Sequence, residues 1–407
     1  MKTLRHYLFL FVAMIAGFLL FAGVSCLLPN RVVHKNIARS VAYGDLMDDY
    51  PRAVMPQKQT IMDNFTDALI LQQAWFCSSD SLWLSMMAPV RFSSMDAQTL
   101  LLRKVVDGVP HGTVAYPRYW HGNTFLMRYL LLLASYKTLR HLFYVVSMLL
   151  LLLMALALRR TFGEWVAVLM TVGLAVMYLF VMEFSIQFVP VLWIALCGVM
   201  AVCQRAEVGR PAEEVFFVLG ALTAFFDLLT IPLLTLGLPL LVVVLKEGRE
   251  SQQVLRRGLR QIARCGLLWC AAYGGTWVSK WLLASATTRH HVVSDASSAV
   301  GYRASTMPDF SRFDAVAANA ELLPLGLITV LLVVLVGLAI WRFRREGWPT
   351  AVLQLVVSVM PYVWYWVVAD HSYEHAWFTY RLQMITAAGL LLAVGSLVDW
   401  ARLRKLR

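Results

Sequence analysis

The chain has 407 residues, of which 59% are hydrophobic and only 15% charged, and its mean hydropathy is +0.65. This composition lies outside the range of soluble domains and predicts a polytopic membrane protein. The formal net charge of +12 suits either nucleic acid or an anionic membrane surface, and the distribution of the basic residues decides between these two partners.

Long apolar stretches predict an all-α integral membrane protein, one domain over residues 1–407 with about ten transmembrane helices. The predicted spans are residues 7–28, 139–158, 163–182, 185–203, 215–230, 231–245, 265–284, 320–341, 350–369 and 382–399. The first of them ends in GVSC. We expect it to be a retained span and not a cleaved signal peptide, because its apolar core is longer than that of an ordinary signal sequence.

Basic residues are concentrated in the loops on one side of these spans. With both termini in the cytoplasm, that side is the inner one, and it includes Arg159, Arg160 and the basic run 246–264. The positive charge therefore marks the inner membrane face, where it meets membrane lipids, and we expect no nucleic-acid partner. The short outer loops and their edges carry few basic residues, among them Lys280 and Arg381.

Two outer loops are long enough to carry structure of their own. The first, residues 30–125, contains the periodic apolar segments TDALILQQAW, MDAQTLLLRKVV and RYWHGNTFLMRYLLLLA, which predict amphipathic helices on the membrane surface. The second, residues 285–318, is rich in Ser, Ala and Thr and is expected to be a mobile cover. Cys26 and Cys77 both face outside in this topology and are able to pair, although two unpaired buried thiols are the expected state.

The first outer loop also supplies the acidic candidates. The segment DNFTDALIL begins with Asp63, and Asp67 follows four residues later. This spacing places both acids on one face of the predicted helix. The structural alternative is a helix N-terminus that favours acids. Asp48 and Asp49, nearer the first span, form a second acidic pair.

Further ionisable residues lie at the same predicted outer face. His121 and Arg128 follow the stretch YPRYWHG, where the aromatic residues suit a membrane-interface belt. Asp227 in FFDLLTIP lies at a reversal between two short spans, where it either caps the next helix or lines a cavity. Lys280 in WVSKWLLAS is either a snorkelling lysine or a binding residue.

The segment DHSYEHAWFTYR, residues 370–381, carries two histidines and an arginine at one predicted membrane boundary. His371, Glu374 and His375 match the H-x-x-E-H pattern of inverzincin metalloproteases. Those enzymes need a further acidic ligand downstream, and the one acid that follows, Asp399, belongs to the opposite membrane face. A zinc membrane peptidase is therefore the third hypothesis, and we expect the segment to bind a lipid phosphate.

Carboxylates, histidines, a lysine and arginines on one outer face fit the transfer of a sugar from a lipid-linked phosphate to a hydroxyl. A carboxylate takes the proton of the acceptor, and cationic groups stabilise the departing phosphate as the glycosidic bond breaks. The alternative hypothesis is a transporter or flippase for a lipid-linked sugar, which needs the phosphate-binding residues but no general base. Such carriers usually show inverted repeats, and the sequence has none that we can detect.

The topology and the motifs TDALIL, YPRYWHG, FFDLLTIP, K-W-L-L-A and HSYEHAWFTYR together resemble the GT-C superfamily of membrane glycosyltransferases. The resemblance implies an inverting enzyme of the bacterial cytoplasmic membrane. It would use a polyprenyl-phosphate-linked sugar as donor and a cell-envelope glycan or lipid as acceptor.

By this resemblance the catalytic base is Asp67, with Asp63 as second candidate. The residues that would bind substrate are His121, Arg128, Asp227, Lys280, His371, His375 and Arg381. Some members of the superfamily hold the phosphate with a divalent metal. Here Asp67, Asp227 and His371 would bind Mg²⁺ or Mn²⁺, whereas Lys280 and Arg381 would make a metal unnecessary.

Overall fold

The computed structural model describes residues 2–44, 46–54, 57–94, 96–110, 112–250 and 253–404, and nearly all regular structure in them is helical. The elements before the second predicted span are α1 (Lys2–Cys26), α2 (Asn30–Ala42), α3 (Asn64–Phe76), α4 (Leu82–Met87), β1 (Val90–Phe92), α5 (Gln98–Val106), β2 (Thr113–Ala115) and α6 (Gly122–Leu130). The all-α prediction is confirmed, apart from the short antiparallel pair β1–β2.

The remaining helices run to the last described residue. They are α7 (Tyr136–Phe162), α8 (Glu164–Ala175), α9 (Val189–Glu207), α10 (Glu213–Phe226), α11 (Leu234–Glu250), α12 (Val254–Thr287), α13 (Val292–Ala304), α14 (Arg312–Ala320), α15 (Leu325–Trp341), α16 (Trp348–Ser358), α17 (Met360–Val367), α18 (Ala369–Glu374), α19 (Ala376–Thr379), α20 (Met384–Ser396) and α21 (Trp400–Arg404). Short 3-10 helices cover Lys58–Thr60, Leu179–Phe184, Arg345–Gly347 and Tyr380–Gln383.

Each predicted span contains a helix, but fewer helices than predicted have the length and hydropathy of a membrane span. Among the described residues five segments qualify, and a sixth qualifies if α14 and α15, which meet at 73°, are taken as one broken span. The five are Leu4–Cys26, Tyr136–Phe162, Val189–Glu207, Arg345–Val367 and Ala376–Ser396. The predicted count of ten is therefore not confirmed, whereas several apolar helices able to cross a membrane are present.

Local chemistry explains where two of the helices end. Gly163 separates α7 from α8 with a φ of 99°, a left-handed conformation that a residue with a Cβ atom rarely adopts. The chain leaves α10 at Asp227, passes Leu229 with a φ of 68°, and reaches α11 after Pro232. Proline in this position has no backbone N–H to contribute to a helix.

The main core lies between α8, α9, α11, α16 and α20, whose buried faces are almost entirely Leu, Val, Met and Ala. Glycine allows close helix crossings in this core. A Cβ atom at Gly173 of α8 would lie 2.5 Å from the Cα atom of Ala388 in α20. By contrast, α1 and α15 expose leucine, valine and phenylalanine side chains, as expected of helices that face lipid.

The first outer loop differs from its prediction at α3. We expected TDALILQQAW to lie on the membrane surface, but residues 67–74 of α3 are buried. Apolar side chains occur around the whole circumference of this helix, and α2, α5, α6 and β1 pack against it. In the second outer loop, α13 and α14 are regular helices, and α14 begins with a reciprocal capping box of Ser311 and Asp314.

Candidate functional site

The predicted site residues other than Arg128 fall into three groups, two of which also contain an arginine that the sequence prediction did not include. The acid–arginine group consists of Asp63, Asp67, Arg140 and Arg381. The histidine group consists of Asp227, Arg303, His371 and His375. The lysine group consists of His121 and Lys280.

Both acids of the first group belong to the start of α3. Asp63 is the N-cap residue, and its carboxylate accepts from the backbone N–H of Thr66 at 2.9 Å. Asp67, one turn later, accepts from the Tyr136 hydroxyl and from Arg140 Nη2, the latter at 3.3 Å. The structure therefore gives each carboxylate a defined orientation.

One short segment, residues 185–187, contacts both acids. Ser185 Oγ accepts from the backbone N–H of Asp63 at 2.8 Å, and the Gln187 side chain donates to the Asp63 carboxylate. The backbone N–H of Ile186 donates to Asp67 Oδ1 at 2.7 Å. One three-residue segment therefore contacts both acids, Asp63 through Ser185 and Gln187 and Asp67 through Ile186.

Burial changes the acidity of this pair. Both side chains are withdrawn from solvent, which disfavours their charged forms. Burial raises the pKa of Asp67 to about 7, and the charge of Arg140 and the hydrogen bond from Tyr136 oppose this shift. Burial also raises the pKa of Asp63 to about 6, opposed by the bonds from Thr66 and the charge of Arg381. Carboxyls with pKa values this close to neutral can exchange protons at physiological pH.

Arg381 is the cation beside Asp63. Its guanidinium is fully buried, and Nη2 donates to the backbone oxygen of Ile61 at 2.9 Å. It also lies over the Phe188 ring, 4.5 Å from the ring centroid. Nε and Nη1 have no hydrogen-bond partner among the described residues. Buried guanidinium nitrogens are normally paired, so these two are available to donate to a bound group.

The histidine group lies beside the turn between α10 and α11. The Asp227 carboxylate accepts from the backbone N–H of Thr230 at 3.0 Å, as in a capping turn. The His371 ring bonds to the backbone oxygen of Leu229 at 2.7 Å, and the His371 and His375 ring centroids are 4.8 Å apart. The HSYEH segment is therefore attached to this turn through its first histidine.

Both histidines of this group are uncharged at neutral pH. Burial lowers the pKa of His375 to about 4, assisted by the charge of Arg303. Burial, the neighbouring His375 and Arg303 lower the pKa of His371 well below its usual value. The Arg303 guanidinium donates to the Tyr119 hydroxyl at 2.6 Å. The cation of this group is thus Arg303, which our sequence prediction did not include.

The lysine group and Arg128 are engaged with backbone oxygens. Lys280 Nζ donates to the carbonyls of Met86 and Met87 at 3.0 and 2.9 Å. The His121 ring bonds to the carbonyl of Tyr116 at 2.6 Å, and burial followed by the charge of Lys280 lowers the pKa of His121 to about 3. Both side chains therefore stabilise the fold through hydrogen bonds to backbone oxygens.

Arg128 is the clearest structural arginine in the chain. Its Nε donates to Ser25 O at 3.0 Å, and its Nη1 donates to Ala74 O at 2.6 Å. Its Nη2 donates to Leu28 O and to the Asn30 side chain at 3.1 and 2.8 Å. All three nitrogens are therefore occupied, and they join the ends of α1 and α3 to α6.

The other acidic candidates have different positions. Asp49 caps α5 through Thr99 and Gln98, and the Asp48 side chain is exposed. Among the described residues no three His, Cys, Asp or Glu side chains form a metal-binding group. Asp67, Asp227 and His371, which the metal hypothesis needs together, belong to two separate groups.

Aromatic rings connect the three groups. Phe378 packs against His375 at 5.1 Å and against Phe188 at 6.1 Å, between centroids, and Phe188 in turn contacts Arg381. On the other side, Tyr119 contacts both His121 and Arg303. The three groups are thus linked to one another through aromatic side chains.

Besides Arg303, three further residues near these groups were missing from the sequence prediction. Arg140 and Tyr136 lie at the border of the span predicted for residues 139–158, where an ionisable side chain indicates function. Glu183 is fully buried, neither of its carboxylate oxygens has a partner in the described chain, and burial raises its pKa to about 8. Glu183 is the single acid in the apolar stretch MYLFVMEFSIQF, and this position in the sequence could have identified it as a candidate residue.

No protein-family model, curated protein or solved structure matches this chain.

The buried histidines predict a loss of stability in acid. The unfolded chain binds protons at His371 and His375 from about pH 6.5, whereas the folded chain does so only near pH 4 for His375 and at low pH for His371. The unfolded state therefore binds more protons in this window, and stability falls as the pH falls through it. We expect the His371→Gln/His375→Gln double variant to lose fewer degrees of thermal midpoint between pH 7 and pH 5 than the wild type.

The raised pKa values of Asp63 and Asp67 act in the opposite direction, so the difference between variant and wild type is the informative quantity. The matched control is His290→Gln, because His290 is exposed. Equal pH dependence in the double variant and the wild type would contradict the assignment of neutral histidines.

Proposed function

We propose that the chain is an inverting glycosyltransferase of the bacterial cytoplasmic membrane, acting at the outer face. It would transfer a sugar from a polyprenyl-phosphate donor to a hydroxyl of a cell-envelope glycan or lipid. The observation that supports this best is the acid–arginine group, in which two buried carboxylates lie beside an arginine with two unpaired nitrogens. The apolar helices able to span a membrane provide the setting for a lipid-linked donor.

In the proposed reaction a carboxylate takes the proton of the acceptor hydroxyl, and the acceptor oxygen attacks the anomeric carbon of the sugar. The bond between that carbon and the phosphate oxygen breaks, and its electron pair leaves with the phosphate. Asp67 is the proposed base because its pKa of about 7 suits proton uptake at neutral pH, with Asp63 as second candidate. Attack from the face opposite the phosphate inverts the anomeric centre.

Arg381 is the proposed phosphate ligand. A guanidinium presents several N–H donors in one plane, and the unpaired Nε and Nη1 of Arg381 leave donors on two sides of that plane for phosphate oxygens. Negative charge grows on the phosphate as the glycosidic bond breaks, so a fixed buried cation stabilises the transition state more than the ground state. Arg128 and Lys280 would stabilise the backbone around the site, since their N–H donors already bond to backbone oxygens.

The test is mass spectrometry of cell-envelope glycans and lipids from cells with and without the gene. We expect deletion to remove one sugar unit, the wild-type gene to restore it, and the Asp67→Asn gene to fail at equal protein level in the membrane. The matched control is Asp80→Asn, because Asp80 is an exposed acid of the same loop. Unchanged glycans after deletion would refute the proposal, whereas restoration by both Asp67→Asn and Asp63→Asn would favour a flippase without catalysis.

A further inference from the structure

The structure brings together two cysteines that are 51 residues apart in the chain. Cys26 is the last residue of α1, and Cys77 is the C-cap residue of α3. Their Sγ atoms are 2.8 Å apart, and both side chains are buried, with 1% and 5% of their surface exposed. The predicted topology allowed these two cysteines to pair, but two unpaired thiols were the expected state.

Contacts that do not involve sulfur hold the two segments in place. Arg128 bonds to Ser25 on one side and to Ala74 on the other. The Asn30 side chain donates to the backbone oxygen of Cys77 at 3.0 Å. The approach of the two thiols is therefore fixed by the surrounding fold.

We propose that Cys26 and Cys77 form a disulfide bond in the mature protein. A disulfide has a sulfur–sulfur bond of about 2.05 Å, so the two atoms need to move together by less than an ångström from their present separation. The proposal depends on the outer-face location of these residues, where the environment is oxidising. It does not depend on sugar transfer.

The reaction requires an oxidant, which we take to be a thiol–disulfide oxidoreductase in its disulfide form. The thiolate of one cysteine attacks the oxidant's disulfide to give a mixed disulfide, and the second cysteine then displaces the oxidant. The two thiols lose two protons and two electrons, and the oxidant is released as a dithiol. Cys77 is the better first nucleophile, because the neighbouring Cys26 and the charge of Arg128 lower its pKa.

The four remaining cysteines serve as internal controls. Cys203 and Cys265 are buried, whereas Cys197 and Cys270 are exposed. None of the four has a sulfur atom of another cysteine as a hydrogen-bond partner in the described chain. The predicted topology places them within or at the inner ends of spans, where no oxidising partner is expected.

The test is peptide mapping of the full chain, purified after alkylation of free thiols in intact cells and again after denaturation. We expect a linked peptide pair containing Cys26 and Cys77, two hydrogens lighter than the two free peptides together, which separates on reduction. The other four cysteines should be alkylated without reduction. Alkylation of both Cys26 and Cys77 without reduction would overturn the proposal, as would a chain that begins at a lipid-modified Cys26.

A stability measurement provides an independent second readout. We expect a reductant to lower the thermal midpoint of the wild type by several degrees and to have no effect on the Cys26→Ser/Cys77→Ser variant. Cys203→Ala should respond to reductant as the wild type does. A wild-type midpoint that is independent of reductant would count against the bond. Glycan analysis of the same variants is separate, so failure of this proposal and failure of the proposed transferase activity can be distinguished.

Discussion

Replacing Arg381 with methionine is expected to lower sugar transfer by about 10²–10³-fold, the usual cost of removing one fixed donor to a developing charge. Methionine fills much of the same volume beside Phe188 and Tyr380 but provides no cation for the phosphate. The quantity to measure is incorporation of sugar into the cell envelope, normalised to the amount of protein in the membrane. Arg381→Lys should retain intermediate activity, because lysine keeps the charge but not the paired planar donors.

The control for this series is Arg289→Met, which removes an exposed arginine of the second outer loop. Its incorporation should equal that of the wild type. Wild-type incorporation by Arg381→Met, at wild-type protein level, would remove Arg381 from the site. A reduced protein level would instead indicate that the bond from Arg381 to Ile61 O is needed for folding.

Replacing Arg128 with methionine is expected to have the largest effect on stability. The change leaves three backbone oxygens and the Asn30 amide oxygen without their donor inside the protein. Each buried polar group left unpaired costs about 1–3 kcal/mol. We expect a loss of several kcal/mol, measured as a lower thermal midpoint in detergent or as poor accumulation in the membrane.

Arg128→Lys should lie between the wild type and Arg128→Met, because its single ammonium group reaches some of the same oxygens. Arg103→Met is the matched control, since Arg103 is an exposed arginine of α5 in the same loop. Equal midpoints for Arg128→Met and Arg103→Met would show that the four bonds contribute little to stability.

The helical class of this protein could be predicted from its sequence because long apolar stretches have few alternatives to helix in a membrane. The segment predicted for residues 139–158 is found as Tyr136–Phe162, with only its ends extended. The number of spans was harder to predict, because hydropathy does not distinguish a helix that crosses a membrane from one enclosed by neighbours. The span predicted for residues 163–182 illustrates this, since its helix α8 has only 12 residues and packs against α7 and α20.

At the site, local geometry was predictable and long-range pairing was not. The sequence correctly placed Asp63 and Asp67 at the start of one helix, because the preference for acids at a helix N-terminus is a property of neighbouring residues. No such rule connects Asp63 to Arg381, or Arg128 to the carbonyls of Ser25 and Ala74, which are determined by the packing of distant segments. The resemblance to GT-C enzymes stays a prediction, since no family model or solved structure matches the chain.

Residues 185–187 bond to both Asp63 and Asp67, so neither carboxylate can be uncovered by movement of this segment without affecting the other. In the conformation described here the two acids are closed off from water. Under the proposed function, the arriving acceptor would displace this segment and expose the carboxylates. Until then the general base could not activate a water molecule for attack on the donor, so the donor sugar would be protected from hydrolysis.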